Sequence, residues 1–110
     1  MCTLYGCEVG AKASAMTTVI PVAMKNPNFE LRTNTYVLKV TLDSTKKKAV
    51  SVSYIDDQGQ EMEQPAGIIV LAALALWNVH LMLLSGIGKP YDPATGQGVV
   101  GRNYAYQAST

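Results

Sequence analysis

The chain has 110 residues, 48% of them hydrophobic, with a formal net charge of +1. This length suits one domain with a modest core. The near-neutral balance leaves no electrostatic footprint for nucleic acid or for an acidic membrane surface. Cys2 and Cys7 are the two cysteines, too few for a disulfide framework or a complete metal or iron–sulfur site. They read as incidental thiols, the alternative being the first part of a larger cysteine cluster. Met1-Cys2-Thr3 opens no signal peptide.

In chain order, residues 1–16 are rich in glycine and alanine without a period and read as irregular. Thr18 is placed to cap a short helix with Pro21 in its first turn, where a missing N–H costs nothing. Asn26-Pro27-Asn28 stops that helix. Phe29–Arg32 reads as a short strand and Asn34 as a bend. Residues 36–64 follow as a three-stranded antiparallel meander. Its first strand, Tyr36–Leu42, puts Tyr36, Leu38, Val40 and Leu42 on one face. Ser44–Lys48 is a polar turn. In Ala49–Ile55, Val50, Val52 and Tyr54 alternate with serines. Asp56–Gly59 is a hairpin turn, and Gln60–Gln64 is a polar edge strand.

Ile68–Gly88 is the longest apolar run. A membrane span needs about 20 such residues, but Asn78 and His80 interrupt this one. Its first part is β-branched, and Trp77, Leu81 and Leu84 share a helical face. It therefore reads as a buried strand feeding a long buried helix, about 67–88, not as a membrane span. Ser85–Pro90 supplies a glycine C-cap and a stopping proline. Beyond it, Lys89–Gly98 is full of turn formers, and Val99-Val100 is the pair placed to touch a core.

None of these residues forms a catalytic constellation. His80, the single histidine, reads as a partly buried, hydrogen-bonded side chain. Lys46–Lys48 and Asp56-Asp57 are explained by turns. The Gly86-x-Gly88 pair closes a helix, whereas a phosphate-cradling loop opens one. The better place for a phosphate is the turn at Ala72-Ala73, where small side chains admit a close approach and a helix N-terminus follows. A plain strand–helix turn explains the same residues.

Leu81-Met82-Leu83-Leu84-Ser85-Gly86-Ile87-Gly88 resembles the second signature of the glucose–methanol–choline (GMC) oxidoreductases, flavoenzymes that oxidise alcohols and sugars. Phe29–Leu42 resembles the strand pair before that family's meander, and Val99-Val100-Gly101-Arg102-Asn103 its Val-Gly-x-Asn motif. The resemblance covers essentially the whole chain and is nearest to the flavoprotein subunits of gluconate dehydrogenase-like sugar dehydrogenases. The general signature has Gly or Ser at Ala73, a small residue at Leu74, Ser or Thr at Trp77, and Pro or Ser at Asn78. A strand–GxGxxG–helix unit and a catalytic histidine motif, which the family carries, are not in these residues.

The resemblance implies an α+β internal segment, 1–110, of the FAD-binding domain of a larger enzyme that oxidises CH–OH groups by hydride transfer to flavin. It implies that the backbone of Val37 meets the FAD adenine, that Ala72, Ala73, Trp77 and Asn78 lie where the strand–helix turn approaches the cofactor, and that Asn103 lies on the flavin side. No catalytic residue is expected in this chain. The implied partners are the remainder of the flavoenzyme and an electron-transfer cytochrome subunit, in a bacterial periplasmic or membrane-associated complex. The isolated chain is expected to be inactive, to bind FAD weakly or not at all, and to self-associate through uncovered edges. The alternative is a non-enzymatic interaction module built on the meander and the 68–88 helix.

Overall fold

The computed structural model describes Cys7 and residues 9–105. It divides the chain into two compact units, Met1–Thr33 and Asn34–Thr110. In the first, α1 (Val19–Ala23) has no buried residue. Thr18 precedes it as expected, but its hydroxyl donates to the Ser14 carbonyl (2.7 Å) and does not cap the helix. A cap must accept from the free N–H groups of the first turn; here the hydroxyl closes the preceding turn. The Asn26 side chain accepts from the Asn28 N–H (2.9 Å), so the Asn-Pro-Asn stop works through local side-chain bonding. Phe29–Arg32 forms no strand. Its residues alternate, yet no ladder partner is present among the described residues, and a lone strand leaves its backbone unpaired. Arg32 and Glu30 form an exposed ion pair instead (2.6 Å).

The second unit is a sheet with strand order β1-β2-β3 (Tyr36–Leu42, Ala49–Ile55 and Glu61–Pro65), all antiparallel, and a helix α2 (Ala75–Leu84) packed on β1. Asn34 does mark a bend, with φ 56°. Both hairpins follow from turn chemistry. Asp43 accepts from the N–H groups of Lys47 and Lys48 and from the Thr45 hydroxyl. Asp56 accepts from Gln58 and Gln60, while Gly59 takes the left-handed backbone at φ 80°.

The strand faces differ from simple alternation. Val37 pairs with Tyr54 and Lys39 with Ser53, which leaves Leu38 as an extra residue. This bulge moves Val37 onto the face of Val40 and Leu42, and moves Tyr36 off it. The serine face of β2 is not open to water either. Ser51 and Ser53 are buried, and their hydroxyls donate diagonally to Glu63 and Glu61 of β3. The polar face thus covers itself through cross-strand pairs.

The Ile68–Leu71 strand does not form, and the helix is neither long nor buried. Residues 66–74 contain no strand, with Ile68 86% and Val70 79% exposed. The β-branched run has no ladder partner among the described residues. The helix has ten residues, of which only Leu81 is buried. Leu76, Trp77, Leu83 and Leu84 are exposed, because β1 covers a single stripe of a helix that is apolar on every side. No helix among the described residues is long and apolar enough to cross a membrane.

The C-terminal end of α2 is closed as the sequence indicates. Gly86, at φ 66°, donates to the Leu83 carbonyl and Ile87 to that of Met82, which completes a Schellman motif. Val100, 6% exposed, joins Val40 and Leu81 in a small core, while Val99 faces solvent. Gly98 holds the returning chain against Lys89-Pro90. Its φ is +86°, and a Cβ there would lie 1.9 Å from the Pro90 carbonyl oxygen, so only glycine fits.

Candidate functional site

The site is built where α2 runs beside β1, the edge strand. Near the helix C-terminus the two are bonded. The Ser85 hydroxyl donates to the Leu81 carbonyl (2.6 Å) and accepts from the Val40 N–H (2.8 Å). That bond shows which way Val40 points its main chain: toward the open edge. Val40 pairs with Val52 and Val37 with Tyr54, two residues further along β2. Residues two apart on a strand share an orientation, so Val37 also turns its N–H and C=O to the open edge.

At the other end of α2, a groove of about 290 Å³ opens between the helix and the start of β1. Its walls are Tyr36 and Val37 on one side and Ala73, Trp77, His80 and Leu81 on the other, with Thr35 at its end. No acidic or basic carbon-chain residue lines it. Trp77 and His80, three residues apart on one helical face, meet with ring centroids 5.7 Å apart and planes at 86°. Trp77 is 54% exposed, and His80 is exposed, which corrects the partly buried reading of that residue.

The turn into α2 has an unusual backbone. Leu74, the N-cap, has φ 79° and ψ 150°, and no side chain caps the helix. That region is essentially reserved for glycine. Asn78 holds the turn in place: its Oδ1 accepts from the Ala73 N–H (2.9 Å) and its Nδ2 donates to the Leu71 carbonyl (3.2 Å). Its amide therefore organises the loop. The first turn of α2 carries no acidic side chain, so the uncapped, positive end of the helix is left for an anion.

Val37, Ala73 and Trp77 thus share one groove. Ala72 joins Val37 and Ala73 around an adjoining hollow of about 260 Å³, and Asn78 lies behind the turn. Asn103 does not join them. It has φ 59° and lines a separate hollow of about 450 Å³ with Ala75, Leu76 and Val79, on the other side of α2. His80 and Tyr36 were not foreseen as site residues. The i, i+3 spacing of Trp77 and His80 was the available signal. Among the described residues no group of three His, Cys, Asp or Glu side chains could hold a metal ion. Cys7 is half-buried, and Cys2 lies outside the described residues.

Comparison with known proteins bears on this site. A family model described as GMC oxidoreductase matches residues 1–108. The chain is 53% identical over 106 residues to the gluconate 2-dehydrogenase flavoprotein of Pantoea cypripedii, covering 96% of this chain and 17% of that protein. It is 30% identical over 112 residues to the paromamine 6'-oxidase of Streptomyces fradiae, covering 99% of this chain and 20% of that protein. The chain therefore spans a fifth or less of the curated relatives it matches. No solved structure matches it.

Proposed function

Because the chain belongs to the GMC oxidoreductase family, we propose that it is part of the FAD-binding domain of a flavoenzyme that oxidises a CH–OH group of a sugar or sugar acid. The observation that carries this is the juxtaposition of an open strand edge at Val37, a small-residue turn at Ala72-Ala73 and the uncapped N-terminus of α2. These fit the parts of a dinucleotide. A strand edge bonds a heteroaromatic ring, small side chains admit a close backbone approach, and a helix N-terminus favours phosphate.

The Val37 main chain and Trp77 would hold a ring of FAD, Ala72 and Ala73 would pass close to it, and Asn78 would keep the turn in position. Asn103, beyond the helix, would meet the flavin side. FAD, when bound, supplies the acceptor for a hydride from the alcohol carbon. A histidine outside this chain is the proposed base. The rest of the flavoenzyme would cover the exposed apolar side chains Ile68, Val70, Leu76 and Leu84. An electron-transfer cytochrome subunit is the proposed onward partner, in a bacterial periplasmic or membrane-associated complex.

Alone, the chain would be inactive and hold FAD weakly or not at all. Self-association would run through the uncovered edge of β1 beyond the single Val40–Ser85 bond and through the exposed apolar residues Ile68 and Val70. Reading the gene outward from both ends of this segment tests the proposal. A GxGxxG unit upstream, a histidine motif downstream and sugar-dependent bleaching of a bound flavin in the expressed protein are expected. Stop codons flanking the segment would overturn it and favour a free-standing interaction module.

A further inference from the structure

The hollow on the far side of α2 lies between Ala75, Leu76 and Val79 of the helix and the 101–105 segment. At about 450 Å³ it is in the size range of small-ligand sites. Of the described residues that line it, Arg102 is the one that carries a charge. We infer that Arg102 is a specificity-determining residue whose guanidinium reads the carboxylate of an open-chain sugar acid, with the Asn103 amide and the Tyr104 hydroxyl beside it for the substrate's hydroxyl groups. This rests on the flavin reading above and chooses the acid where that reading names sugar and sugar acid together.

The backbone around Arg102 is fixed from both sides. Val100 is buried, and its carbonyl accepts from the Tyr91 N–H (2.9 Å). Gly101 and Asn103, the residues flanking Arg102, both take left-handed backbone, at φ 88° and 59°. A Cβ on Gly101 would lie 3.7 Å from a Val79 methyl, so the chain passes close along α2 here. The guanidinium carbon sits 5.3 Å from the centroid of the Tyr91 ring. That cation–π contact steadies a long side chain that otherwise has many rotamers to lose on binding. A counter-charge is what the guanidinium lacks: among the described residues it forms no ion pair. Asp92, next along the chain from Tyr91, is committed elsewhere, its two oxygens accepting from the Ala94 N–H and the Thr95 hydroxyl. A planar fork of N–H donors matches a carboxylate bidentately. The rest of the lining suits the rest of such a ligand. Asn103 and Tyr104 carry donors and acceptors for hydroxyl groups, and Ala75 and Val79 give an apolar wall for its C–H groups.

The experiment uses the intact flavoenzyme that contains this segment. Steady-state kinetics are run on open-chain aldonates, each beside the alditol of the same carbon chain: gluconate with glucitol, galactonate with galactitol. The unaltered enzyme should prefer an aldonate to its alditol. Arg102→Gln should raise KM for that aldonate about tenfold or more, the size of a lost charge-assisted hydrogen bond, and hold kcat within about twofold. Any activity on the alditol should stay unchanged, so the preference narrows. Arg102→Lys keeps the charge without the fork and should fall between. Tyr91→Leu should raise the same KM roughly threefold, through loss of the ring that steadies the guanidinium. Because Arg102 is exposed, its substitution removes little packing; circular dichroism and the flavin content of each variant check fold and loading. A flavin-loaded enzyme that favours no aldonate over its alditol overturns the inference and leaves the flavin reading standing. So does an Arg102→Gln enzyme with an unchanged KM for the aldonate. An equal loss on acid and alditol, or a loss of bound FAD, also overturns it, since the guanidinium would then serve a carboxylate of the enzyme or the phosphates of FAD. An unaltered enzyme that takes up no FAD sinks the flavin reading and this inference with it.

Discussion

The two ends of α2 are built on opposite terms. At the C-terminal end every device closes: the Schellman bonds of Gly86 and Ile87, the Ser85 hydroxyl shared between helix and strand, and Leu81 buried beside Val40. At the N-terminal end the helix is uncapped, Leu74 sits in backbone territory that suits glycine, and Trp77 is half exposed over an open groove. A ten-residue helix thus spends its satisfied contacts at one end and leaves strain and open polar groups at the other. Strain and unsatisfied groups gather where a ligand is expected to complete them.

Three perturbations would break or sharpen this contrast. The largest effect is expected from Ser85→Ala. It leaves the Val40 N–H without its acceptor, and a partly buried donor so stranded costs roughly 1–3 kcal/mol. Urea unfolding of the protein, followed by circular dichroism, should show a lower midpoint with an unchanged slope; a midpoint within error of the parent would mean that this bond does not tie helix to strand. Next is Leu74→Gly, which acts at the other end and in the other direction. Relief of the positive-φ backbone should raise stability by about 1 kcal/mol, read as a higher melting temperature. A fall would show that the leucine side chain matters more than its backbone.

The smallest effect is on acid stability. The Thr45 hydroxyl, aided by the Lys47 and Lys48 N–H groups, lowers the pKa of Asp43; the Thr95 hydroxyl and the Ala94 N–H do the same for Asp92. A carboxylate with a folded pKa below its unfolded value contributes stability above the unfolded pKa and loses it as pH falls through the folded one. Unfolding midpoints should therefore be flat near neutrality and decline below about pH 4. Asp43→Asn and Asp92→Asn together should flatten that decline. Both groups lie in loops away from the groove, so this series separates general acid sensitivity from any change at the site.

Much of the sheet was legible in the sequence because its signals are local. Tyr36–Leu42 and Ala49–Ile55 alternate, and Asp43, Asp56 and Gly59 supply side-chain acceptors and a left-handed residue where the turns need them. The bulge at Leu38 was hidden, since it is a property of the pairing with β2 and not of β1 alone. Ile68–Leu71 failed for a related reason. Its β-branched residues fit a strand, but a strand exists only with a partner beside it. The helix was overestimated because apolar residues on all its sides say that it should be buried and cannot say what buries it. At the site, resemblance picked out Val37, Ala73 and Trp77, which share the groove. Asn78 was legible as a polar intruder in an apolar run, yet its two bonds to the loop backbone need coordinates to be seen. Tyr36 and His80 do not stand out in the sequence, one because it reads as a strand residue and the other because a lone histidine among apolar neighbours reads as a partly buried, hydrogen-bonded side chain.

The Ser85 hydroxyl also works as a measuring mark. It fixes one point where helix and strand coincide, at Val40, and both then run back toward the groove by their own fixed steps. Eight helical residues at 1.5 Å carry the chain about 12 Å from Ser85 to Trp77, and, with Leu38 bulged out, two ladder steps at about 3.3 Å carry it about 7 Å from Val40 to Val37. The indole and the Val37 main chain line the same groove, with both distances counted from that shared point. Sliding the helix by a single residue would rotate Trp77 by about 100° around the axis and turn it out of the groove altogether. The aperture offered to a ring is thus calibrated from one oxygen atom more than two helical turns away.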